Sequence, residues 1–199
     1  KAAAVESFNA PAAQALLPGK LLRQARRPNG ELHLAPRDFE HPVLAAFREH
    51  WAERYFNLDR LEQLHRNVLV GGRRLSLPMD EYAKIGSWGE ANDHWIRVAQ
   101  ELGGEAVSGA LAAAGLAPRD VDALYFVTVT GVATPSIDAR LVNRLQLRSD
   151  VKRVPIFGLG CVAGTAGIAR AADYVRAFPD QVALLLSVEG IQGIRGFLS

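Results

Sequence analysis

Phe157-Gly158-Leu159-Gly160-Cys161-Val162-Ala163-Gly164 is the stretch on which the fold turns. It closes a strand over 151–157 and opens a helical pattern over 162–177 that Phe178-Pro179 stops. A thiol is thereby set at the junction of a buried strand and a helix N-terminus. The helix dipole and free N–H groups there favour thiolate over thiol. Gly158 and Gly160 permit backbone angles that other residues resist, and they leave space beside the sulfur for an acyl group. Val162, Ala163, Gly164, Thr165 and Ala166 keep the first helical turns small enough to lie close to a sheet. These are the conditions that an acyl-accepting cysteine needs. Two other readings start from the same residues. A single intracellular cysteine is commonly a small buried hydrophobe. Gly158, Gly160 and Gly164 also make a loose G-x-G-x-x-x-G, with Glu189 at the end of the next strand. That is the outline of a dinucleotide-binding unit, though a degenerate one placed late in the chain.

Working outward, residues 182–188 form a further apolar strand, and 123–129 a β-branched and aromatic one suited to burial. Residues 130–135 read as a loop, after which Ser136 N-caps a helix running through Asn143 to about Leu147. A long helix over 93–114 carries Trp95, Val98, Leu102, Val107 and Leu111 at helical spacing, with Gly115 as its stop. Strand, crossover helix and strand in such short units imply parallel pairing and an α/β architecture covered by helices. Residues 1–56 are different in character: Ala-rich, Arg-rich and punctuated by Pro18, Pro28, Pro36 and Pro42. They read as a helix or two with loops.

Composition sets the outer bounds. The chain has 199 residues, 49% hydrophobic and 22% charged, which suits one moderate domain or half of a two-lobed one. A net charge of +2 does not point to nucleic acid, and Arg23, Arg26 and Arg27 read as a solvated segment. One cysteine excludes an intramolecular disulfide. The 182–188 run is too short for a membrane span, and Glu6 and Asn9 spoil residues 1–17 as a signal peptide. A soluble, cytoplasmic protein is the expectation. His33, His41, His50, His65 and His94 have no metal-site spacing, so no metal is expected.

Two blocks carry a resemblance. Phe126-Val127-Thr128-Val129-Thr130-Gly131-Val132-Ala133-Thr134-Pro135-Ser136-Ile137-Asp138-Ala139-Arg140 is similar to the stretch preceding the nucleophile in type III polyketide synthases. Residues 151–164, which contain the opening stretch, resemble their nucleophile segment. His65-Arg66-Asn67 and Gly72-Arg73-Arg74-Leu75 fit the same family's N-terminal pattern, and the similarity runs from about Leu61 to Glu189. The resemblance implies the first βαβαβ half of a thiolase-like fold with a helical N-terminal region, in a homodimer. It implies an acyl-CoA starter condensed with malonyl-CoA, coenzyme A thioesters as substrates, and no metal or redox cofactor. By position, Cys161 takes the starter as a thioester, and Val129, Thr130 and Gly131 line the cavity. Thr134, before Pro135, stands where relatives often place a methionine that reaches the partner's site through a cis peptide. Glu189 lies near the nucleophile, and Arg66, Arg73 and Arg74 are candidates for the coenzyme A phosphates. The wording of 134–140 resembles bacterial synthases that make alkylresorcinols or alkylpyrones from fatty acyl starters. A ketoacyl synthase III-like condensing enzyme, a dinucleotide-binding module and a half-synthase partner subunit are the alternatives.

The family's catalytic histidine and asparagine follow the nucleophile, and here neither residue type occurs after Cys161. Asn67, Asn92 and Asn143 all precede it. Residues 190–199 read as a non-matching tail and 1–56 as an atypical segment, so 57–189 is the matching part. The chain thus reads as the N-terminal half of a synthase: a truncation, a frame-shifted product, or part of a longer chain. On this reading it is deficient alone, because histidine and asparagine stabilise the enolate formed when malonyl-CoA loses carbon dioxide. A second chain could supply the missing half, and an unpaired half-sheet would expose a long apolar edge.

Overall fold

The computed structural model describes residues 3–7, 15–17, 20–22, 57–67, 77, 79–82 and 84–190. In chain order these form strands β1 (Ala3–Ser7), β2 (Ala15–Leu17) and β3 (Lys20–Leu22), then helices α1 (Leu58–Asn67), α2 (Met79–Tyr82) and α3 (Trp88–Ala114). Strand β4 (Ala123–Thr128), helix α4 (Ile137–Arg144), strand β5 (Lys152–Phe157), helix α5 (Ala163–Ala177) and strand β6 (Ala183–Ser187) follow. The six strands make one sheet in the order β3-β2-β1-β6-β4-β5. Pairing is parallel for β1 with β6, β6 with β4 and β4 with β5, and antiparallel between β1, β2 and β3.

Every residue of β4 and β6 is buried, because helices cover both faces of the sheet. The two-residue period of a strand sorts the side chains between them. Leu124, Phe126, Leu184 and Leu186 pack with Trp95, Ala99, Val107 and Leu111 of α3 and with Ile137 and Leu141 of α4. Ala123, Tyr125, Val127, Ala183 and Leu185 face the other way, onto Ala163 and Ala171 of α5. Helix α5 lies close because Gly167, one turn between those alanines, sits where a Cβ would come within 2.8 Å of Leu185 and 2.9 Å of Val127.

Several sequence expectations need correction. Parts of the segment 1–56, expected as helix and loops, are strands β1–β3; the rest lies outside the described residues. High alanine content favours helix only weakly, and the in-register ladder of β1 on β6 outweighs it. β5 was expected as a buried strand and is instead the outermost one, its side chains mostly exposed. Lys152, Arg153 and Pro155 are edge residues in kind, since charge and a missing N–H both discourage further pairing. The β5 edge mixes charged with apolar residues: Val154 and Phe157, the latter 59% exposed, lie on it, and the apolar character continues into Leu159 and Val162. α3 starts at Trp88 rather than near 93, with Ser87 accepting from the Glu90 N–H at 3.2 Å and Glu90 accepting from the Gly86 N–H at 2.7 Å. Ser136 does precede α4, but its side chain makes no capping bond.

Candidate functional site

Parallel pairing brings Thr128 opposite Phe157 and Val127 opposite Ser187, so β4, β5 and β6 all end at one side of the sheet. The segments 129–136, 158–162 and 188–190 leave from that side, where open α/β sheets hold their ligands. Cys161 lies there, in a single 3₁₀ turn (Gly160–Val162) that leads directly into α5, and its side chain is exposed. The exposure removes the reading of Cys161 as a buried hydrophobe. Gly158 and Gly160 have φ of 87° and 59°, and a Cβ at either would meet nothing within 4 Å. Backbone conformation, not crowding, is therefore what calls for glycine on each side of Leu159.

The segment after β4, the candidate first wall, leaves the sheet on the side where Cys161 lies. Val129 is exposed, Thr130 half-buried and Gly131 buried, and the Thr134-Pro135 bond is cis, with Thr134 exposed. Glu189, two residues past the end of β6, holds this segment. Its Oε2 accepts from the Val129 and Thr130 N–H groups at 3.2 Å each, while the Gly190 N–H donates to Thr130 Oγ1 at 2.8 Å. Burial pushes the Glu189 carboxyl above the ordinary glutamic acid range, against the opposing pull of its bonds from Thr130 and Val129. Glu189 is thus turned to the wall and is neither a solvent-facing strand end nor free to take a ribose. Arg66 lies on α1, its side chain outside the described residues, and Arg73 and Arg74 lie wholly outside them.

Two residues of α3 hold this segment from behind; the sequence places Trp95 only on the helix's apolar stripe and gives Asn92 no role there. Asn92, buried, accepts from the Val132 N–H and donates to the Val132 carbonyl, both at 2.9 Å. Trp95 lies one turn on. A Cβ on Gly131 would fall 2.0 Å from Cδ2 of its indole, so the backbone rests directly on the ring. The available signal was a polar amide three residues before Trp95, on the stripe that continues through Val98 and Ala99.

The family model described as FAE1/Type III polyketide synthase-like protein matches residues 91–194, more than half of the chain. The chain belongs to that family. It is 53% identical over 129 residues to a 1,3,6,8-tetrahydroxynaphthalene synthase of Streptomyces peucetius subsp. caesius, an alignment covering 65% of this chain and 34% of that protein. A phloroglucinol synthase of Pseudomonas fluorescens is 32% identical over 156 residues, covering 72% of this chain and 45% of the other. The crystal structure of the Streptomyces coelicolor 1,3,6,8-tetrahydroxynaphthalene synthase, a bacterial type III polyketide synthase, superposes with a TM-score of 0.71 at 28% identity. That superposition covers 79% of this chain and 44% of the synthase. The type III polyketide synthase-like chain thus has the thiolase-like α/β fold of its relatives and spans less than half of their length. None of the helices among its described residues is long and apolar enough to cross a membrane.

Proposed function

We propose that this chain carries the acyl-accepting half of a type III polyketide synthase, with Cys161 as the nucleophile. One observation carries the reading: within the family-matched segment, an exposed thiol sits between two positive-φ glycines and a helix start, at the carboxyl side of a parallel sheet. The thiolate attacks the carbonyl carbon of an acyl-CoA, the tetrahedral oxyanion collapses, and the coenzyme A thiolate leaves and takes up a proton. Val129, Thr130 and Gly131 bound the space for the acyl chain, Thr134 closes it on the partner side, and Arg66, Arg73 and Arg74 meet the coenzyme A phosphates. Malonyl-CoA extends the acyl-enzyme by decarboxylative condensation, in a homodimer, once histidine and asparagine are supplied. Neither type follows Cys161 in the 199 residues, so these residues alone form the acyl-enzyme and do not extend it.

The wording of 134–140 supports a long fatty acyl starter. The 53% identity to a tetrahydroxynaphthalene synthase favours a second reading, in which the product is a polyhydroxylated fused aromatic. Incubation with palmitoyl-CoA or malonyl-CoA, followed by mass spectrometry, tests both. The expected result is one acyl adduct, lost in Cys161→Ala, with no free polyketide. An adduct that persists in Cys161→Ala overturns the nucleophile, and palmitoyl-CoA inert where malonyl-CoA reacts overturns the long starter.

A further inference from the structure

The segment 129–132 is held from behind more firmly than a surface connection needs to be. Asn92 satisfies both backbone groups of Val132, across 40 residues of sequence. Glu189 takes the N–H groups of Val129 and Thr130, and Gly190 bonds the Thr130 hydroxyl. Between these two clamps Gly131 lies against the Trp95 ring, and a Cβ on Gly190 would come within 3.0 Å of Trp95 Cδ1. The indole is 6% exposed and its Nε1–H has no acceptor among the described residues. A buried N–H without a partner costs stability, so what the indole contributes at this place is shape. Asn92 and Trp95 stand one turn apart on the same face of α3, the helix packed against β6 and α4.

We propose that Asn92 and Trp95 are positioning residues that fix how far the 129–132 wall stands from the Cys161 side of the sheet, and so set which chain lengths can be carried on that thiol. The inference rests on the acyl-transfer reading for its substrate but not for its geometry. The indole is a backstop: a smaller ring lets Gly131 sink toward α3 and lengthens the space beside the cysteine. The amide is a latch: without it Val132 loses two bonds and the wall is free to move outward. Neither residue touches the acyl group itself.

Alkyl methanethiosulfonates test the geometry without coenzyme A. The Cys161 thiolate attacks their thiol sulfur, a mixed disulfide forms and methanesulfinate leaves, so the labelling rate of methyl against decyl reagent reads the room available. In Trp95→Phe and in Asn92→Ala the decyl-to-methyl rate ratio is expected to rise, within the roughly 100-fold that a misplacement of about 1 Å can exert on rates. Val107→Ala, which truncates α3 in the core away from the wall, should leave the ratio unchanged. Hydrogen exchange should show the Val129, Thr130 and Val132 amides losing protection in both variants while β6 keeps its own. An unchanged ratio in both variants with β6 still protected overturns the proposal, as does an equal shift in Val107→Ala. The same proteins are then given malonyl-CoA and palmitoyl-CoA. Wild-type protein that takes thiosulfonates but neither thioester sinks the acyl-transfer reading, while the thiosulfonate ratio still decides the role of Asn92 and Trp95.

Discussion

Glu189 shows how one carboxyl can be at once a structural clamp and a source of pH dependence. Burial raises its pKa in the folded chain, so the folded state holds the proton more tightly than the unfolded one. Its contribution is therefore most favourable at low pH and declines as pH rises from the ordinary glutamate value through the raised one. Glu189→Gln, which keeps an acceptor oxygen and cannot ionise, should close this window. Thermal melts on either side of it should show wild type losing ground to the variant as pH increases. Gly131 makes a simpler case: with Trp95 only 2.0 Å from a built Cβ, Gly131→Ala must displace an indole. We expect a loss of about 1–3 kcal/mol by urea denaturation, the usual range for overpacking. Cys161 and its flanking glycines were legible from the sequence because a strand, a tight turn and a helix follow one another in plain periodicity. The wall behind them was not. Asn92 and Glu189 act through backbone groups of residues 40 and about 60 positions away, and no local pattern announces such bonds.

Among the elements, β4, β6, α3 and α5 follow from their periodicity, and the departures have separable causes. The apolar stripe from Trp95 onward points to a start of α3 near 93, whereas Ser87-Trp88-Gly89-Glu90, with the S-x-x-E form of a capping signal, begins the helix a turn earlier. β5 was correctly a strand but wrongly a buried one. Position in the sheet order is a tertiary property, and only Lys152, Arg153 and Pro155 hinted at it. Arg153 has a further use there. Its Nη1 donates to Oδ2 of Asp138 at 3.0 Å, tying the edge strand to the first turn of α4, and Asp138 is 0% exposed. Arg153→Met should cost on the order of 2 kcal/mol by leaving that carboxylate without its cation. The double variant Asp138→Asn/Arg153→Met should recover most of the loss in the same chemical denaturation series. A full loss in the double variant would mean that Arg153 acts through packing alone.

At the scale of the whole molecule, the sheet joins the first described strand to the last. Ala3–Ser7 runs parallel to Ala183–Ser187 in continuous register, placing β6 between β1 and β4 at the centre. Val5 pairs with Leu185 in that ladder. Val5→Pro should therefore lower the denaturation midpoint and loosen β6 amides in hydrogen exchange, because proline removes a ladder N–H. A variant as stable as wild type would mean that β1 adds nothing to the core. The same arrangement bears on how the protein comes to exist. During synthesis β1 emerges about 180 residues ahead of its partner β6, and β4 also waits for the same strand. Until β6 clears the ribosome both present open edges, and the contact that closes the sheet is among the most distant in the chain. Order of translation thus runs against order of assembly, and the unpaired edges stay open to wrong partners until β6 arrives.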